Sequence, residues 1–133
     1  MHLNIAMIGF GHVGRSLVRL MQRKNDDLRE QHNLTWRFTG ISTGRHGLAA
    51  DPNGLDVNAA LSRVESGQTL DRLNRMPDVR DNLSLIRSGV GNVLVELSTL
   101  NPQTGQPALE HCRAALDAGL HIVTANKGPL AHA

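Results

Sequence analysis

The stretch IGFGHVG, residues 8–14, constrains the fold of this chain more than any other. Glycines at 9, 11 and 14 spell GxGxxG, a pattern that fixes only three positions and gains meaning from its surroundings. Before it, residues 3–8 form a compact apolar run, as a buried parallel strand does. After it, Val13, Leu17, Leu20 and Met21 recur at helical spacing, with Arg15, Arg19, Gln22 and Arg23 on the other side. This helix continues into the polar segment 24–31. Residues 34–42, LTWRFTGIS, are rich in β-branched and aromatic side chains and read as a second strand. Strand, glycine turn, helix and strand make the βαβ unit that binds a dinucleotide. In such a unit the first glycine permits the tight turn, the second lets a pyrophosphate approach, and the third lets the helix pack on the strand. Gly9, Gly11 and Gly14 fit these roles in order. Gly9, Phe10, Gly11, His12, Val13 and Gly14 are together the expected phosphate cradle, His12 through its backbone N–H rather than its ring. A glycine turn without a ligand is the alternative.

Downstream, residues 44–54 (GRHGLAADPNG) read as a loop broken by Gly44, Gly47, Pro52 and Gly54. Short helices are expected at 55–64, 70–76 and 82–86, and a third buried strand at 92–97. Pro107 suits the first turn of a helix with an apolar stripe of Ala108, Leu109, Cys112, Ala115 and Leu116, capped at its end by Gly119. A fourth strand, HIVT, follows at 121–124. The alternation predicts an α/β fold, a Rossmann-like doubly wound parallel sheet, in a single nucleotide-binding domain over residues 1–133.

Composition narrows the function. A net charge of +2, no basic run and only 2% aromatic residues argue against a nucleic-acid surface built on stacking. No apolar stretch is long enough to span a membrane. One cysteine, Cys112, cannot form an internal disulfide and points to a reducing, cytoplasmic setting; on an apolar helix face it reads as a packed thiol. None of the seven histidines pairs at a metal-ligand spacing. Glu96, in an otherwise apolar strand, either orients the loop after it or ends the strand facing solvent.

The end of the second strand usually selects the cofactor. A carboxylate there accepts hydrogen bonds from the adenosine ribose and repels a 2′-phosphate. This chain has no acid between residue 40 and Asp51, and offers Thr43 and Arg45 instead. A guanidinium pairs with phosphate through two N–H groups, so NADP is expected, with NAD the alternative. Arg45 as a solvated loop residue is the competing reading.

GFGHVG, VELSTLNPQTGQPA and HIVTANKGPLA together resemble the N-terminal nucleotide-binding domain of homoserine dehydrogenase. The resemblance implies NAD(P)-dependent interconversion of L-homoserine and L-aspartate 4-semialdehyde, on the route to threonine and methionine. It places the family's hydroxyl-rich loop, near the nicotinamide and its ribose, on Ser98, Thr99 and Asn101. Its Asn-Lys pair falls on Asn126 and Lys127, with Lys127 near both the nicotinamide and the substrate as the catalytic candidate. The family often carries an acid where this chain has Ser42 or Thr43, a departure that favours NADP. The family also continues into a substrate and dimerisation domain, so the chain ending at Ala133 is expected to be inactive alone and to form a homodimer only with that domain. The implied partner is a small-molecule substrate, not a nucleic acid or membrane. A dinucleotide-binding module without catalysis, or a fragment of another Rossmann dehydrogenase, is the alternative.

Overall fold

Apolar residues on both sides of a strand require cover on both faces, and the first strand sets that rule here. Ile5 and Met7 belong to one core, Ala6 and Ile8 to the other, and all four are buried. A computed structural model describes residues 1–98 and 103–125. Its strands are β1 (His2–Ile8), β2 (Thr35–Ser42), β3 (Leu48–Ala50), β4 (Val93–Glu96) and β5 (His121–Thr124). They form one sheet in the order β3-β2-β1-β4-β5, parallel except for β3, which runs antiparallel to β2. The helices are α1 (His12–Arg23), α2 (Asn25–His32), α3 (Val57–Glu65), α4 (Asn82–Arg87) and α5 (Ala108–Asp117).

On one face Ile5, Met7, Val93 and Val95 meet Val18 of α1 with Leu61 and Val64 of α3. On the other, Ala6, Ile8 and Leu94 meet Leu85 and Ile86 of α4 with Ala114 and Ala115 of α5. Fully burying a side chain such as Val18 or Leu94 contributes about 1.5–3 kcal/mol. That packing, rather than intrinsic propensity, holds helices as short as α4, since isolated helices of this length are marginal in water. The result is a Rossmann-like α/β domain with helices on both faces of a mostly parallel sheet.

Several elements differ from the sequence expectations. The segment 44–54 is not all loop: β3 pairs Leu48, Ala49 and Ala50 with Ser42, Ile41 and Gly40. A three-residue strand is too short to display a period. The helix expected at 70–76 is reduced to one 3₁₀ turn, Asp71–Leu73. Its backbone is tied outward to the β3 hairpin, with Leu70 N–H donating to His46 O at 2.7 Å and Arg75 N–H to Ala50 O at 2.8 Å. The Asn74 side chain accepts from Ala50 N–H at 2.9 Å, so this segment covers the edge strand. The first helix stops at Lys24 and restarts as α2, which buries no residue.

The inward face of α1 is also rotated from expectation. Gly14 and Val18 are buried with Leu17 and Met21 half-buried, while Val13 is 64% exposed and Leu20 42%. Leu116 likewise leaves its expected stripe and is 67% exposed. The C-terminal cap of α5 is as expected: Gly119 has φ +80°, its N–H donates to Leu116 O, and Leu120 N–H reaches Ala115 O.

Candidate dinucleotide-binding site

The chain runs outward from β1 to β2 and β3, then crosses back to place β4 on the other side of β1. Open α/β sheets bind ligands at the carboxyl ends of their strands where the order reverses in this way. A cavity of about 490 Å³ opens there, lined by residues of the glycine turn, the β2–β3 hairpin, Asn82 and Ser98.

Each glycine has a distinct environment. Gly9 adopts φ +98°, and a Cβ on it would lie 2.5 Å from the carbonyl carbon and oxygen of Leu97. A Cβ at Gly14 would lie 2.6 Å from Gly9 O and 3.1 Å from Met7 Sδ, so this glycine seats α1 against β1. At Gly11 a Cβ would meet nothing within 4 Å. The first and third glycines therefore serve chain packing, and the second faces space that a ligand can enter. Gly11 is also the N-cap of α1, with no side-chain cap and no acid in the first turn. An anion there meets the helix's N-terminal N–H groups and the positive end of its dipole. These features fit a pyrophosphate. Phe10 is buried in the core, while His12 and Val13 are exposed and stand at the helix start without lining the cavity.

Across the cavity the β2–β3 hairpin presents Thr43, Gly44, Arg45 and His46. The Thr43 hydroxyl donates to Gly47 O at 2.7 Å and accepts from His46 N–H at 2.6 Å, so it shapes the turn. Arg45 is exposed and carries no partner among the described residues. A second arginine, Arg15, lines the cavity although its sequence position placed it on the solvent side. Its Nε donates to Gly11 O at 3.2 Å, and its guanidinium lies 3.7 Å from Glu65. Residues four apart on a helix share a face, and side chains tilt toward the N-terminus, so Gly11 and Arg15 were a readable pair. Glu65 also takes both guanidinium N–H groups of Arg19. Those hydrogen bonds, against an opposing effect of desolvation, hold its carboxyl below the usual range, aided by the charges of Arg19, Arg15 and His12.

Below the cavity, at the end of β4, Glu96 is fully buried and faces α5 rather than solvent. Its Oε2 lies 2.5 Å from His111 Nδ1, and its Oε1 accepts from Ser98 N–H at 2.7 Å and Ser98 Oγ–H at 2.5 Å. His111 shares the buried face of α5 with Ala108, Cys112 and Ala115. Burial, and secondly the Glu96 charge, push the Cys112 thiol up, consistent with a packed and unreactive group. Among the described residues no cluster of His, Cys, Asp or Glu is built to hold a metal, and no helix is long and apolar enough to cross a membrane. The cavity thus brings together Gly9, Phe10, Gly11, Thr43, Arg45 and Ser98 of the expected set, and adds Arg15, His46 and Asn82. Thr99, Asn101, Asn126 and Lys127 lie outside the described residues.

No family model matches the chain. It is 32% identical over 96% of its length to the NAD(+)-dependent homoserine dehydrogenase of Pseudomonas canavaninivorans. It is 30% identical over 97% of its length to the homoserine dehydrogenase of Methanocaldococcus jannaschii. The chain spans 36% and 38% of these relatives' own lengths. In fold it is similar to the crystal structure of homoserine dehydrogenase from Thermoplasma acidophilum, with a TM-score of 0.73 at 24% identity over 98% of this chain and 37% of that one. The Thiobacillus denitrificans enzyme superposes with a TM-score of 0.64 at 21% identity, over 98% of this chain and 25% of that one. Over nearly its whole length, this chain is similar to homoserine dehydrogenases, of which it covers little more than a third.

Proposed function

We propose that this chain is the NADP-binding part of a homoserine dehydrogenase, an oxidoreductase that interconverts L-homoserine and L-aspartate 4-semialdehyde in threonine and methionine biosynthesis. The observation that carries the reading is Gly11, an uncapped helix start with open space at its Cβ position, set in a cavity lined, among the described residues, by two arginines and no carboxylate. In this reading the N–H groups at the start of α1 hold the pyrophosphate. Arg45 takes the 2′-phosphate, and Ser98 and Thr99 hold the nicotinamide ribose. The bound dinucleotide supplies or accepts the hydride. Lys127 orients the substrate and stabilises negative charge developing on its carbonyl oxygen. The described lining residues include no acid and no lysine, and in this reading the glycine turn and the hairpin hold and orient the cofactor. The unpaired, buried Cys112 fits a cytoplasmic setting.

NAD is the second reading, favoured by the name of the Pseudomonas relative. Calorimetry with both cofactors separates the two. The chain should bind NADPH more tightly than NADH, and Arg45→Ala should weaken NADPH by about 1–3 kcal/mol while leaving NADH unchanged. Equal losses for the two would remove Arg45 as the reader of the 2′-phosphate; absence of binding by both would sink the dinucleotide reading. For the catalytic role, Lys127→Ala in the full-length enzyme should lower kcat/KM by about tenfold or more. An unchanged rate would return Lys127 to the solvent.

A further inference from the structure

A row of hydrogen bonds runs beneath the cavity from one strand end to the other. The Ser42 hydroxyl donates to Asn82 Oδ1, which leaves Asn82 Nδ2 to donate to His111 Nε2 at 3.3 Å. With Nε2 accepting, the ring proton of His111 sits on Nδ1 and is donated to Glu96 Oε2 at 2.5 Å. Glu96 Oε1 then accepts both hydrogen bonds from Ser98. Every atom in the row has its role fixed by the one before it. Ser42, Asn82 and Ser98 line the cavity, whereas His111 and Glu96 do not.

We infer that His111 is a positioning residue for the dinucleotide: through Glu96 it sets Ser98, and through Asn82 it ties Ser98 to Ser42. The ends of β4 and β2 are thereby held at a fixed span beneath the two halves of the ligand. The inference rests on the dinucleotide reading above. A buried ionisable pair is costly to desolvate, and apolar side chains of similar volume would often stabilise the fold as well or better. Glu96 is 0% exposed and His111 4%, so this pair sits where such a replacement was available. What apolar side chains could not do is aim two acceptor sites at Ser98. Breaking the row at His111 leaves the Ser42–Asn82 contact in place, so the adenosine half keeps its partners while Glu96, and Ser98 with it, loses the tie to α5.

The test compares NADPH with adenosine 2′,5′-bisphosphate, which lacks the nicotinamide half, on the chain and its His111→Leu variant. NADPH affinity should fall at least tenfold, and that of the bisphosphate less than twofold. The Glu96→Gln variant keeps the packing, but one end of its amide is a donor, so it cannot accept from both His111 Nδ1–H and Ser98. Its affinities should split as for His111→Leu, which keeps the test alive if His111→Leu fails to fold, and long-range 1H–15N spectra of the unaltered chain should show the ring proton on Nδ1. Equal weakening of both ligands, no weakening of either, or a ring proton already on Nε2 in the unaltered chain would overturn the inference. If the unaltered chain binds neither ligand, the dinucleotide reading itself fails and the positioning role goes with it.

Discussion

The β2–β3 hairpin shapes its turn with Thr43, Gly47 and His46, and leaves the Arg45 guanidinium in solvent. The end of β4, across the glycine turn, is instead anchored on Glu96, a fully buried carboxylate shared between α5 and the Ser98 loop. One wall of the cavity is therefore adjustable and electrostatic, and the other is fixed from inside the core. The difference suits a ligand whose phosphate needs a counter-charge at one end and whose reactive ring needs a defined orientation at the other.

Mutations should separate the two walls by whether stability or affinity responds. Glu96→Ala should have the largest effect, about 3–5 kcal/mol of unfolding free energy, because it breaks a buried pair with His111 and removes the acceptor of two Ser98 hydrogen bonds. Urea unfolding measures it, and a loss no larger than that of an average surface change would mean the β4 wall is not fixed from within. Gly9→Ala should cost about 3 kcal/mol, since φ +98° and the close Leu97 carbonyl both resist a Cβ. A smaller cost would show that the two turns can separate. On the open wall, Arg15→Ala should weaken NADPH and NADH alike by about 1–3 kcal/mol, because it stands at the glycine turn and not at the hairpin. Calorimetry showing loss for NADPH alone would place the 2′-phosphate beside Arg15. The smallest effect is on pH. Hydrogen bonds from the Ser84 backbone and hydroxyl hold Asp81 low, and those from Arg19 hold Glu65 low. A depressed carboxylate stabilises the fold above its unfolded pKa and loses that contribution as pH falls through its folded value. Melting temperature should thus decline as pH drops below the ordinary carboxylate range, and less so in Asp81→Asn.

Legibility from sequence followed the range of the interaction. The glycine turn with β1, the strands β4 and β5, and the Gly119 cap all declare themselves within a few residues. The face of α1 did not, because Gly14 counts as neither apolar nor polar, yet its missing side chain is what sets that helix against β1. The 3₁₀ turn at Asp71–Leu73 was misread for another reason: the N–H groups of Leu70 and Arg75 on either side of it serve a hairpin more than twenty residues away. In the site, the phosphate cradle was readable from local spacing, and the Glu96–His111 pair was only half readable. Strand alternation puts Glu96 on the face of Leu94, and helical spacing puts His111 with Ala108, Cys112 and Ala115. That those two faces meet is a fact of topology, carried by the crossover between β4 and α5.

The placement of β1 at the centre of the sheet also sets an order of assembly. Its contacts with β2 close a moderate loop, but the Asn4–Asn92 hydrogen bond that begins its β4 side joins residues 88 apart. Contacts of such sequence separation carry a larger loop-closure cost and form late. During synthesis the hairpin wall can pair with β1 while the chain is still emerging, whereas the Gly9–Leu97 contact must await β4. Ligand affinity should then appear abruptly at the end of folding, so that a partly folded chain binds no cofactor and a bound one favours only the finished sheet.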